Sequence, residues 1–312
     1  MQLTMRRYRD EDDFWRIRAF LRELLLQHRF RQRCWHVARF DYWRWHGNEN
    51  IEHQPMSDMI FLWETLDGQI AAMLNAESKG EAFLHILPAY ASAALQAEML
   101  ATAEAHLIAR TAEGRPKLRV WVEEHDQACR EWVLQRGYAK GNWPEYMRQR
   151  LIDAPIPEAS PAPGFTVRSL GDGLELLERC YASGLAFHEN DIRIAVDNRN
   201  DVTWYRNIQT APLYRRDLDI VAIAPDGAVA SFCTVWFDDV TRTAVFEPVA
   251  TVPAYQRRGL GKAVMCEALR RLKRMGAQRA YVGSYSVEAG ALYASVGFTD
   301  YDLLEGWDKV WE

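Results

Sequence analysis

Apolar and polar residues alternate with period two in Gln2-Leu-Thr-Met-Arg-Arg-Tyr8 and again in Gly164-Phe-Thr-Val-Arg-Ser-Leu170. Each stretch is followed by an aspartate and then by a helical pattern, which predicts a short strand leading into a helix. Further along, an apolar β-type run over Thr243–Pro253 ends in a polar turn containing glycine. An amphipathic pattern then covers Gly261–Met275, with Gly276 as its stop, and a second apolar run covers Arg279–Tyr285. Strand, helix and strand in that order predict a parallel pair. A last short helix is predicted over Ala289–Phe298, where Leu292 and Val296 form an i, i+4 apolar pair before Gly297.

The pattern is interrupted once, at Ile152-Asp-Ala-Pro-Ile-Pro-Glu-Ala-Ser-Pro-Ala-Pro-Gly164, where four prolines and few apolar residues predict an extended linker. The landmarks on its two sides correspond. Pro88-Ala-Tyr90 matches Pro253-Ala-Tyr255 at a separation of 165 positions, and Gly137-Tyr138 matches Gly297-Phe298 at 160. One loop absorbs the difference of five, so the chain reads as a tandem duplication. The expected organisation is a first domain over 1–151, a linker over 152–163 and a second domain over 164–312.

Composition changes this picture little. The 312 residues suit two domains, and 48% hydrophobic with 26% charged residues is ordinary for globular halves that each build a core. A formal charge of −5 argues against a general nucleic-acid binder and gives no sign of membrane affinity. No apolar run has the length of a membrane span, and residues 1–30 are charged and helical in pattern, unlike a secretory signal. Cys34, Cys129, Cys180, Cys233 and Cys266 are scattered without metal or redox spacing, which points to reduced thiols, no metal site and a cytoplasmic location.

The candidate chemistry lies in the turn after Pro253. Gly259 and Gly261 permit a sharp turn and close backbone approach, and the following helix start offers unpaired N–H groups to an anion. The spacing is neither a nucleotide-triphosphate P-loop nor a dinucleotide fingerprint. Gln256-Arg-Arg-Gly-Leu-Gly261 instead fits [QR]-x-x-G-x-[GA], and about thirty residues later Ala289-Gly-Ala-Leu-Tyr-Ala-Ser-Val-Gly-Phe298 fits A-x-x-L-Y-x-x-x-G-F. In these two motifs, in this order, the chain resembles the GNAT superfamily of acyl-CoA-dependent N-acyltransferases. The resemblance implies an α/β fold of two tandem GNAT-like domains, each a mixed, mostly antiparallel twisted sheet flanked by helices. It also implies acetyl-CoA as acyl donor, bound where two central strands splay apart.

By the same resemblance, backbone groups of Gln256, Arg257, Arg258, Gly259, Leu260, Gly261 and Lys262 hold the pyrophosphate, and Val249, Ala250, Thr251 and Val252 line the pantetheine arm. Tyr293 is the implied proton donor to the leaving thiolate. Glu247, a carboxylate inside an otherwise apolar strand six residues before Pro253, is the candidate base. Ser286 stands where the family often has a cofactor-contacting asparagine. The first copy lacks these features. It continues Ala91-Ser-Ala-Ala-Leu-Gln96 after Pro-Ala-Tyr, which favours helix over an open cradle, and it places Val133 where Tyr293 stands.

The expected function is transfer of an acetyl group to a primary amine of a small molecule or peptide, by direct attack in a ternary complex. The alternative is an acyl-CoA-binding sensor or scaffold without turnover, and O-acyl transfer is not separable by sequence. Monomer and homodimer are both compatible with a fused pair of domains. The segment Cys34-Trp-His-Val-Ala-Arg-Phe-Asp-Tyr-Trp-Arg-Trp-His46 crowds aromatic residues into about a dozen positions. It is either core or interface packing, or the aromatic wall of a pocket suited to a flat or cationic group.

Overall fold

After β1 (Thr4–Arg7), the Asp10 carboxylate accepts the Asp13 N–H and opens α1 (Glu11–Gln27), with three acids in the first turn where the helix dipole favours them. The computed structural model describes residues 2–312. Two compact units result, one holding the chain up to Met147 together with Asp302–Glu312, the other Arg148–Tyr301. The first continues through α2 (Val37–Tyr42), a π-helical stretch (Trp43–Glu52), α3 (Met56–Met59), β2 (Ile60–Glu64), β3 (Ile70–Asn75) and β4 (Glu81–Ile86). Then come α4 (Ala93–His106), β5 (Ala109–Arg110), β6 (Pro116–Glu123), α5 (Gln127–Gln135), β7 (Ala139–Lys140) and β8 (Glu145–Leu151), the last shared between the units.

In the first unit β1 to β4 form an antiparallel meander and β4 pairs in parallel with β6. Phe14, Ile17, Leu21 and Leu24 of α1 lie at helical spacing and join Phe61, Trp63, Met73 and Phe83 of the sheet in one core. Trp35 and Trp43 of the aromatic segment are buried in it, and the Trp43 indole N–H donates to the Glu77 carbonyl at 2.7 Å. His85 of β4 is also buried, with Nε2 2.9 Å from Asn75 Oδ1.

Burial, and then the nearby Arg39 and His28, lower the His85 pKa to about 3. An unfolded histidine titrates near 6.5. The unfolded chain therefore binds the extra proton, and this contribution to stability is complete above about pH 6.5 and is lost as pH falls toward 3. His85→Gln is expected to move the acid-unfolding midpoint to lower pH, read by circular dichroism. An unchanged midpoint would show that His85 is not a titrating trigger.

The second unit runs β9 (Thr166–Ser169), α6 (Leu174–Phe187), α7 (Ile192–Asn200), α8 (Thr203–Ile208), β10 (Asp219–Ile223), β11 (Val229–Asp238) and β12 (Thr243–Thr251). It ends with α9 (Leu260–Arg274), β13 (Arg279–Ser284) and α10 (Val287–Ser295), from which β14 (Asp300–Val310) leads away. The order β9-β10-β11-β12 is antiparallel, and β12 pairs with β13 in parallel. Leu260, Val264, Leu269 and Leu272 of α9 pack on Ile220, Ala222, Cys233 and Val235. Basic Arg271, Lys273 and Arg274 sit at the helix C-terminus, and Gly276 at φ +76° closes it. Each unit is thus a mixed, mostly antiparallel sheet flanked by helices.

The chain divides differently from the reading that placed the boundary at 152–163 and the whole tail in the second domain. The units part at Met147/Arg148, and most of β14 returns to the first unit, where Leu304–Val310 pair antiparallel with Glu123–Lys117 of β6. The Pro-rich run is an ordered extension of the second unit, with Ile152 fully buried. A strand's pattern records which face it buries but not which sheet it joins.

Candidate active site

Pairing between β12 and β13 stops at Val245 and Tyr281. Immediately beyond, β12 carries a bulge. Phe246 pairs with Val235 and Val249 with Cys233, so Glu247 and Pro248 together stand opposite the single residue Thr234. The Glu247–Pro248 peptide is cis. Val249, Ala250 and Thr251 keep their partners Cys233, Phe232 and Ser231 on β11, while among the described residues the edge toward β13 has no strand partner. These three residues are half-buried along that open edge.

Val252, buried, ends the strand by donating its N–H to the Ala230 carbonyl, and Pro253–Tyr255 form a single 3-10 turn. The loop that follows is an anion nest. Gln256 N–H is used by the Pro253 carbonyl, and the next helical bond is Ala263 N–H to the Gly259 carbonyl at 3.0 Å. Between them, among the described residues, the six N–H groups of Arg257 to Lys262 have no acceptor. Arg257 at φ +62° and Gly259 at φ +74° lie in the left-handed region, the alternation that gathers successive N–H groups into a concavity. A positive φ at an arginine is costly and concentrates at functional loops.

Gly261 serves a second purpose. A Cβ there would lie 3.1 Å from Leu292 and 3.2 Å from Thr251 Oγ1, so its absence lets α9, α10 and β12 meet. Gln256, Arg257 and Arg258 are exposed, with Arg258 beside the Tyr255 and Phe165 rings, and Lys262 is half-buried.

Tyr293 projects from the last turns of α10 and is buried. Burial holds its pKa above the ordinary phenol value, and the nearby Cys233 and Glu247 add to the effect. The two candidate catalytic side chains therefore share one electrostatic environment. Glu247 is half-buried on the bulge, and its carbonyl accepts the Trp236 indole N–H at 2.6 Å. Ser286 is the N-cap of α10, where its Oγ accepts the Ala289 N–H at 3.2 Å. The oxygen proposed from sequence to contact a cofactor is thus engaged in holding the helix that carries Tyr293.

Sequence reasoning did not find the polar support beneath the bulge. Asp219, fully buried, accepts Tyr205 Oη at 2.7 Å, Tyr214 Oη at 2.8 Å and Thr234 Oγ1 at 3.2 Å. Thr234 is the residue opposite Glu247 and Pro248, so this network fixes the strand on which the bulge rests. Arg179 of α6 lies buried on the same side with its guanidinium 3.5 Å from the Phe232 ring centre and 4.7 Å from that of Tyr205. An aspartate within the apolar run Leu218-Asp-Ile-Val-Ala222 was the available signal. Of the acids between His188 and Tyr205, Asp191 caps α7 by accepting the Arg193 and Ile194 N–H groups, and Asp201 accepts the Thr203 N–H at the start of α8.

The profile of the acetyltransferase (GNAT) family matches residues 184–298. That stretch holds the split strands, the nest and Tyr293. Residues 184–298 are a GNAT acetyltransferase domain.

The likeness of fold extends over nearly the whole chain. A GCN5-related N-acetyltransferase from Sphaerobacter thermophilus superposes with a TM-score of 0.67 at 15% identity, covering 99% of this chain and 95% of that one. A tandem GNAT protein of the clavulanic acid biosynthesis pathway gives 0.68 at 13% identity, covering 99% and 98%. A GNAT-family acetyltransferase from Colwellia psychrerythraea gives 0.60 at 11%, covering 98% and 100%. No curated protein matches the chain.

The first unit repeats the framework of this GNAT domain but not its nest or its bulge. Pro88–Tyr90 form the same 3-10 turn, and Tyr138 N–H bonds the Val133 carbonyl as Phe298 N–H bonds that of Tyr293. Yet α4 starts five residues after Pro88 whereas α9 starts seven after Pro253, with Ser92 Oγ capping the Leu95 N–H at 3.2 Å. The β3–β4 register is continuous, and Ala82-Phe83 stand where Glu247-Pro248 make the bulge.

Proposed function

We propose that the GNAT domain transfers an acetyl group from acetyl-CoA to a primary amine of a small molecule or peptide, by direct attack in a ternary complex. The observation that carries this reading is the run of six unpartnered N–H groups from Arg257 to Lys262, set at the end of an unpaired strand edge. Such a run fits a pyrophosphate, and the open edge of Val249–Thr251 fits an extended arm bearing amides. One neighbour of the same fold is described as a form without acetyl-CoA, which accords with that donor.

The chemistry needs a neutral amine, a polarised thioester and a stabilised leaving thiolate. An N–H on the open edge of β12 polarises the thioester carbonyl. Glu247 takes the proton that the amine loses as the new amide C–N bond forms. The C–S bond breaks, and Tyr293 meets the departing sulfur. Its phenol, held above pKa 10, is a hydrogen-bond donor at every working pH; a thiol titrates near 8.5, so full transfer of the phenolic proton is uphill. Tyr293 therefore stabilises the thiolate chiefly by hydrogen bonding, and one proton from the amine balances the one the free thiol acquires.

The direct test is to follow free thiol from acetyl-CoA across a panel of primary amines, with the acetylated product identified by mass. Release with at least one amine is expected. Saturable acetyl-CoA binding with no release on any amine would replace the enzyme by a non-catalytic acyl-CoA-binding protein. For the active amine, Glu247→Gln is expected to lower kcat/KM by roughly 10²–10³. A fall of less than about tenfold would transfer the base role to another group.

A further inference from the structure

In the first unit, β4 and β6 pair only as far as Phe83 and Trp121. The residues that follow on each strand line a cavity of about 470 Å³. That volume lies within the range of ordinary small-molecule sites, about 300–1,000 Å³. The wall is aromatic. Phe83 and Trp121 lie nearly parallel with ring centres 5.6 Å apart, and Trp35 meets Phe83 edge-on at 5.1 Å.

Four lining side chains also carry a buried polar atom without a hydrogen-bond partner among the described residues: Trp35 Nε1, His85 Nδ1, Glu123 Oε1 and Trp121 Nε1, the last beside the Glu81 carboxylate. Buried polar groups are normally satisfied, and each exception calls for a partner. Trp35 can only donate. Neutral His85 donates through Nε2 to Asn75 Oδ1, which leaves Nδ1 as an acceptor, and the Glu123 oxygen accepts. A complementary molecule therefore presents N–H donors and at least one acceptor around a flat ring.

Two candidate classes fit poorly. A cation would compete with Arg39, whose guanidinium already lies 4.9 Å from the Trp35 ring centre and 5.3 Å from that of Phe83, and Arg33 stands in the cavity wall. A second acyl-CoA would lack its cradle, because the early start of α4 under Ser92 takes up the backbone that forms the nest in the GNAT domain.

We propose that this cavity binds a nucleobase or nucleoside, its ring held against the Trp35, Phe83 and Trp121 side chains and its edge hydrogen-bonded by Trp35, His85 and Glu123. The test is isothermal titration of adenosine, guanosine, cytidine and uridine, separately, into the full chain. Saturable one-to-one binding of at least one nucleoside is expected. Trp35→Phe, which keeps a ring but deletes the N–H, and Glu123→Gln are each expected to weaken it tenfold or more, with acetyl-CoA titration unchanged. Absence of binding by all four overturns the proposal, whatever the variants do. Binding that is insensitive to both variants, or that is lost in Gly259→Trp, also overturns it by locating the nucleoside elsewhere. Two acetyl-CoA sites, one removed by Trp35→Phe, would make the cavity an acyl-CoA site instead.

Discussion

Gly259→Trp is expected to weaken acetyl-CoA binding more than a hundredfold in calorimetric titration while leaving the chain folded. At φ +74° any L-residue costs about 1–2 kcal/mol, a tolerable loss for an exposed loop position. A Cβ built there meets nothing within 4 Å, so the core is not disturbed. The indole would instead stand over the N–H groups of Arg257 to Lys262 and deny them to a pyrophosphate. Ala94→Trp, at the corresponding place in the first copy, falls on an exposed turn of α4 and is expected to leave binding unchanged. Binding that survived in Gly259→Trp and vanished in Ala94→Trp would exchange the roles of the two units.

Tyr293→Phe is expected to lower kcat by about 10²–10³, the usual cost of losing one hydrogen-bond donor to developing negative charge, with acetyl-CoA affinity altered less than about twofold. The ring sits in the core of the second unit, so the substitution keeps the packing and deletes one hydroxyl. Because burial holds the phenol above its ordinary pKa, the wild-type profile should show no loss of Tyr293 protonation below about pH 10. A fall in kcat of less than tenfold would remove Tyr293 from the reaction. A parallel loss of affinity would instead make it a binding group.

Much of the GNAT domain is legible in its sequence, and for a local reason. The run Thr243–Pro253, the turn and the helix from Gly261 are each specified by residues within a few positions of one another, and the observed β12 and α9 differ from them by two residues or fewer at each end. The nest is equally local, since Gly259 and the residues around it set its dihedrals. The divergence of the first copy is readable in the same way: Ser92 and the alanines after it start a helix early, and Val133 stands where the second copy has Tyr293.

Other features depended on partners far along the chain. The bulge at Glu247-Pro248 exists only through its register against Thr234, and Thr234 is held by Asp219, Tyr205 and Tyr214 through bonds that no spacing rule connects. The sequence shows the position of Ser286 but not its environment: as the residue preceding α10, its oxygen accepts the Ala289 N–H, with its O–H left to donate. The aromatic segment divided between roles. Trp43 is core, while Trp35 also walls a cavity whose other side comes from β4 and β6.

By itself, then, the order of residues determined the short-range geometry: strands by alternation, helices by caps and apolar spacing, and a turn that gathers N–H groups by glycine at a positive φ. Tertiary structure decided which strands share a sheet, and so that the tail from Asp302 completes the first unit while Arg148–Leu151 belong to the second. Backbone dihedrals and caps are set by neighbours in sequence. Strand pairing, bulge register and the surroundings of a buried group are set by whichever distant residues exclude water from the same place.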